Sequence, residues 1–217
     1  MWEFHPENPE YWGRFPLQFW KNGKVINERV TKEHQPNLTT LYTEHAVEFI
    51  RNQGDKPFFL YVPHSMPHVP LYVSDKFQGK SQRGLYGDVI MEIDWSVGRI
   101  METLRANEME KNTLVIFTSD NGPHNEGGSK AAFFDSNGPL RGIKRSLHEG
   151  GIRVPGIIEW PARISTPRAS KIPTVTSDIL PTIAALVGQV IPNRPLDGIN
   201  LESVIDGTMT SRPEPIF

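Results

Sequence analysis

The chain has 217 residues, 23 Lys plus Arg against 25 Asp plus Glu, a formal net charge of -2 and no cysteine. That length suits one compact domain burying roughly 70% of the surface of its unfolded chain, and the near-even charge balance offers no overall pull toward nucleic acid or an anionic membrane. The lack of cysteine excludes disulfide scaffolds, thiolate metal sites and a cysteine nucleophile, and the longest apolar runs fall far below the ~20 residues that cross a bilayer.

Residues 1–38 are rich in Pro, Asn, Gly and aromatics without a steady period, which predicts an irregular segment with a short hairpin around Asn22-Gly23. Its first residues, acidic and proline-bearing, do not resemble a secretory signal. Trp12, Phe15, Phe19 and Trp20 either line a pocket or pack back on a core. From Thr39 to Asn52 the apolar side chains Leu41, Tyr42, Ala46, Phe49 and Ile50 recur at helical spacing, and Gly54 and Pro57 end the pattern. Phe58 to Val62 is a short apolar run bounded by breakers, expected as a strand buried on both faces. Residues 82–106 carry Leu85, Val89, Ile90, Ile93, Val97, Ile100 and Leu104 three or four apart, the stripe of a long amphipathic helix. Leu114 to Phe117 reads as a second buried strand, and a helix joining two such strands implies a βαβ unit in a largely parallel sheet. Residues 122–153 form a Gly-rich stretch long enough to be functional. Val154 to Trp160 reads as a strand, Ser177 to Val187 as a helix, and residues 201–217 as a tail.

Ligands of an open α/β sheet bind beyond the carboxyl ends of its strands. Parallel strands at 58–62 and 114–117 therefore bring His64 and His68 to the same rim as Asp120 and Asn121. A carboxylate and an amide carbonyl are hard oxygen donors suited to Ca²⁺ or Mg²⁺, although Asp-Asn-Gly-Pro also favours a plain turn. A zinc site through His64, His68 or His124 would need three imidazoles to converge. A histidine in the proline-bracketed 63–70 loop is either a proton donor near neutral pH or a structural group. Arg141, Lys144, Arg145, His148 and Arg153 place positive charge among glycines, which makes either an oxyanion pocket or a solvated basic face.

Taken in order, PFFLYVPHSMPHVP, GLYGDVIMEIDWSVGRIMETL, LVIFTSDNGPH and GPLRGIKRSLHEGGIRVPGIIEWPARI resemble the sulfatases, the calcium-dependent, arylsulfatase-like type within the alkaline-phosphatase-like superfamily. The resemblance runs from about Thr39 to Asn200 and implies an α/β domain over 39–200, a parallel sheet flanked by helices and incomplete on its N-terminal side. It implies that Asp120 and Asn121 are two of the Ca²⁺ ligands. It further implies that His68 helps the leaving group depart, that Lys144 binds a sulfate oxygen, and that His148 touches substrate. The implied substrate is a sulfated sugar or aryl sulfate ester, with no nucleic acid and no membrane as partner, in a periplasmic or secreted setting. A phosphatase or phosphonate hydrolase of the same superfamily is the alternative enzyme, and a sulfate-binding or scaffold protein the non-catalytic one. Sulfatases convert the first residue of a Cys/Ser-x-Pro-x-Arg motif to formylglycine and complete the calcium site with a pair of adjacent aspartates. Neither feature occurs in these 217 residues, so the chain resembles the region after the nucleophile motif and is expected to be inactive by itself.

Overall fold

The structure is a computed structural model that describes residues 17–127, 129–191, 195–213 and 215–216. In chain order the elements are β1 (Phe19–Lys21), β2 (Lys24–Asn27), α1 (Leu38–Arg51), α2 (Gly84–Ala106), β3 (Val115–Thr118), α3 (Ala131–Phe134), α4 (Glu149–Ile152), β4 (Gly156–Glu159), α5 (Ile179–Leu186) and α6 (Glu202–Ile205). Short 3₁₀ turns precede α1, β3 and α5. The described residues fall into two compact units, one running to Glu108 and resuming over Ser119–Val154, the other combining Met109–Thr118 with Pro155 onward.

In the first unit β1 and β2 pair antiparallel through a turn at Asn22 (φ 51°) and Gly23 (φ 75°), the two left-handed positions that a tight hairpin turn requires. Phe19 packs back on Tyr42 with ring centroids 6.1 Å apart, whereas Trp20 is exposed. Trp12 and Phe15 lie outside the described residues. Helix α1 buries Leu38, Thr39, Thr43, Ala46, Val47 and Ile50. Against it α2 buries Val89, Met101 and Leu104, but also Asp88, Glu92, Ser96 and Thr103. The expected apolar stripe is thus rotated: Leu85 and Ile90 are 45% and 41% exposed, while Glu92 is 1% exposed. The cause is the 74–81 segment, whose backbone N–H groups need acceptors once buried. Ser74 N–H donates to Glu92 Oε2 at 3.0 Å, and Gly79 and Ser81 N–H both donate to Asp88 at 2.8 Å. Met66, Leu71, Val73, Phe77 and Val89 form the apolar cluster beside these bonds.

The expected parallel sheet is overturned. Among the described residues the sheets are two antiparallel pairs, β1 with β2 and β3 with β4. Phe58 to Val62 belongs to no ladder, and it is not buried on both faces, since Phe59 and Tyr61 are 70% and 75% exposed. The second expected strand exists as β3, but it pairs with β4 in the register Val115 to Glu159 and Thr118 to Gly156. The βαβ inference needed both apolar runs in one ladder, and an apolar run does not specify its partner. What remains among the described residues is an α/β chain without a large sheet.

The second unit is organised around Asp178, fully buried at the turn into α5. Its carboxylate accepts the Val175 and Ile199 N–H groups at 2.8 Å and both Arg212 Nη groups at 2.8 and 2.9 Å. Gly198 runs so close to this turn that a Cβ would stand 2.1 Å from the Ser177 carbonyl oxygen. Among the described residues no helix is long and apolar enough to cross a membrane.

Candidate functional site

All five residues singled out for chemistry, His68, Asp120, Asn121, Lys144 and His148, lie in the first unit. Asp120 and Asn121 come just after the carboxyl end of β3, whereas His68, Lys144 and His148 lie outside any ladder, and three segments, 63–70, 119–127 and 141–151, pack together. Glycine makes that packing possible. A Cβ on Gly122 would stand 2.0 Å from the Gly150 carbonyl oxygen, on Gly150 2.1 Å from that of Gly142, and on Gly151 2.2 Å from that of Ser146. Backbone bonds then close the contact, from Gly122 N to Gly151 O at 2.9 Å, Gly150 N to Arg141 O at 2.8 Å and Lys144 N to Pro123 O at 2.7 Å. Arg145 adds an ion pair with Glu126.

His68 is exposed, with its Nδ1 2.6 Å from the Val69 carbonyl oxygen. A carbonyl only accepts, so Nδ1 carries the proton in the neutral ring and Nε2 is left as the other ring nitrogen of an exposed side chain. Its ring centroid lies 6.2 Å from that of His124. His124 in turn accepts the Glu126 N–H at Nδ1, 3.1 Å away. Burial holds the His124 pKa below its ordinary value; Glu126 opposes this, and the positive charges of Lys144 and His68 reinforce it. His68, His124 and Lys144 are therefore neighbours.

His148 is placed differently, at the entrance to α4. Ser146 Oγ accepts the His148 backbone N–H at 3.2 Å and stands 2.9 Å from His148 Nδ1. That engages Nδ1 and leaves Nε2 as the other ring nitrogen of an exposed side chain. Asp120 is an exposed carboxylate, and the Asn121 amide donates from Nδ2 to the Gly122 carbonyl at 2.9 Å, which leaves its Oδ1 as the available acceptor. Two hard oxygens next to one another in sequence fit a share of a calcium site but not a whole one, since the ion takes six to eight. Among the described residues no group of three or more His, Cys, Asp or Glu stands together as a metal cluster.

In the sequence His124 stands out only as a zinc-ligand candidate, and Glu126 does not stand out at all. Their sole signal was the position of His124 directly after Asp-Asn-Gly-Pro, and only the contact with the 63–70 loop gives it meaning. His64 is drawn inward instead, with Nε2 3.2 Å from Ser96 Oγ on α2.

The Sulfatase family model matches residues 5–189. Human steryl-sulfatase is 40% identical over 190 residues, covering 86% of this chain and 32% of that protein. Dog N-acetylgalactosamine-6-sulfatase is 40% identical over 191 residues, 84% of this chain and 35% of that protein. Among solved structures, a protein from a Bacteroides thetaiotaomicron glycosaminoglycan-metabolism locus superposes with a TM-score of 0.75 at 34% identity, over 89% of this chain and 43% of that one. A Pseudoalteromonas sulfatase gives 0.68 at 30%, over 81% and 34%. The chain spans about a third of the length of these curated relatives.

Proposed function

The chain belongs to the sulfatase family, and from that premise we propose that it carries the leaving-group and oxyanion side of a site for hydrolysing sulfuric esters. The observation that supports this most is the meeting of His68 and the Lys144-bearing loop around His124. Cleaving the S–O bond of a sulfate ester leaves an alkoxide or phenoxide that needs a proton. His68 is suited to supply it: with Nδ1 held by the Val69 carbonyl, the protonated ring of this exposed side chain has its Nε2–H to give. Lys144 supplies a point charge for the sulfate oxygens, and His148 Nε2 a polar contact for substrate. Asp120 and Asn121 would help to hold Ca²⁺, which when bound neutralises charge on the sulfate oxygens.

The names of the matched relatives support a sulfated sugar or an aryl or steryl ester as the substrate class. The nucleophile is the missing piece: no Cys/Ser-x-Pro-x-Arg motif occurs in the 217 residues. The isolated chain should therefore bind sulfate without turning over its esters. The test is to titrate inorganic sulfate into the labelled chain and to assay the same sample against a chromogenic aryl sulfate with Ca²⁺ present. Resonances of His68 and Lys144 are expected to move, with no turnover. Sulfate that leaves both unmoved would remove the site assignment, and turnover lost on Lys144→Ala would remove the claim of inactivity.

A further inference from the structure

Lys144 and Arg145 are the two central residues of a tight turn. The Ser146 N–H donates to the Ile143 carbonyl at 2.9 Å, and of the two central residues only Arg145 has a positive φ, 75°. That combination is a type II turn, whose third position needs φ near +80° and ordinarily holds glycine or asparagine. An arginine there carries backbone strain that glycine avoids, which points to a use for its side chain. The guanidinium reaches Glu126, 19 residues back in the chain, and forms an ion pair with it. Glu126 has its own place fixed within the 119–127 segment: its N–H donates to His124 Nδ1 at 3.1 Å and its carbonyl accepts the Ser129 N–H at 3.0 Å. The same segment takes the Lys144 N–H on the Pro123 carbonyl at 2.7 Å. Lys144 is thereby tied on both sides, by its own amide and by the guanidinium of the residue that follows it.

We propose that Arg145 is a positioning residue for Lys144: its ion pair with Glu126 pins the tip of the 143–146 turn to the 119–127 segment, and so fixes where Lys144 stands relative to His68. His68 meets that segment through the ring of His124, 6.2 Å away between centroids. Stability alone does not account for an arginine where glycine would be unstrained. The paired side chains are 68% and 40% exposed, and ion pairs open to solvent add little to the folding free energy. Holding one turn in one place needs no more than that. The inference rests on the proposed role of Lys144 as the sulfate contact, but the tethering of the turn can be measured without sulfate.

The test uses the ¹⁵N-labelled 217-residue chain, inorganic sulfate as the probe, and two readouts: hydrogen exchange of the Lys144 amide, and sulfate affinity from the movement of the Lys144 resonances. In Arg145→Gly and in Glu126→Gln the Lys144 amide should exchange about threefold faster and sulfate bind about threefold more weakly, with Tm within about 2 °C of the wild type. The double variant should be no worse than either single one, because both break the same tie. Arg145→Lys keeps a cation for Glu126 and should recover most of both losses; no recovery would reject the ion pair as the tether. Sulfate binding that weakens in Arg145→Gly but not in Glu126→Gln would make Arg145 a direct anion contact and overturn the positioning role. Unchanged exchange in both single variants, or additive losses in the double one, would overturn it as well. If Arg145→Gly loses its dispersed spectrum, Glu126→Gln decides. Sulfate that moves neither His68 nor Lys144 in the wild type would remove the sulfuric-ester reading, while the exchange of the Lys144 amide still decides whether Arg145 tethers the turn.

Discussion

A single carbonyl fixes the direction of a proton chain that runs from the 63–70 loop into the α1/α2 interface. Thr39 O can only accept, so the Thr43 hydroxyl 2.7 Å away must donate to it. The 2.6 Å contact between Thr43 and Ser96 then needs the Ser96 hydroxyl as donor, and the 3.2 Å contact between Ser96 and His64 needs His64 Nε2–H as donor. The His64 proton is therefore on Nε2, and its Nδ1 is buried with no hydrogen-bond partner among the described residues. Charging the ring would add a proton to that orphaned nitrogen. Burial accordingly holds the His64 pKa below its ordinary value of about 6.5, with Glu92 pulling only partly the other way. In the window between the folded pKa and about 6.5 the unfolded chain binds the extra proton and the folded one does not, so stability falls as pH drops through that window. His64→Gln keeps an Nε2 donor for Ser96 without a titratable group. Urea melts between pH 5 and 7.5 should show a flatter dependence in His64→Gln than in the wild type, and parallel curves would refute the argument. None of this was legible in the sequence, where His64 and His68 look alike within one proline-bracketed loop. Which one turns inward is decided by Ser96 on a helix that begins twenty residues later.

At the scale of elements, α1 and α2 were legible because a 3.6-residue recurrence of apolar side chains marks a helix whatever it packs against. The face α2 buries was not, because Asp88 and Glu92 read as solvated charge until the 74–81 backbone is laid over them. The sheet failed for the related reason that pairing is a property of two segments, and Phe58 to Val62 finds no ladder among the described residues. Glu92 shows how polar the helix interface is: one oxygen accepts Thr40 Oγ1 at 2.9 Å and the other the Ser74 N–H at 3.0 Å. Glu92→Gln should be mild, within about 1 kcal/mol, because the Thr40 hydroxyl can rotate to accept from the new amide while the amide oxygen keeps Ser74. Glu92→Leu strands the buried Ser74 N–H and should cost about 3 kcal/mol. Denaturant unfolding that ranks the two variants equally would show that charge, not hydrogen-bond matching, holds this contact. Leu104, 2% exposed on the same helix, gives a control of the ordinary kind: Leu104→Ala should cost about 2 to 5 kcal/mol through the cavity it leaves.

For the whole molecule the deciding quantity is how much of a metal site one chain of this extent can supply. Asp120 and the Asn121 Oδ1 are two oxygens where Ca²⁺ takes six to eight, and water must provide the remainder. Water returns none of the charge and pre-organisation that further carboxylates would give, so affinity should sit at the weak end for calcium sites, with Kd of about 1 mM or weaker. At 10 mM Ca²⁺ and a Kd of about 3 mM the folded state gains about 1 kcal/mol by mass action, enough to see as a small rise in Tm. Asp120→Asn removes the only full charge of the pair while preserving size, so it should abolish that rise and leave the Tm in chelator almost unchanged. Amide resonances of residues 119–123 should move with Ca²⁺ in the wild type and stay still in the variant. Binding in the micromolar range, or a Tm rise that survives Asp120→Asn, would mean that the ion is held by other groups and that Asp120 and Asn121 form a turn.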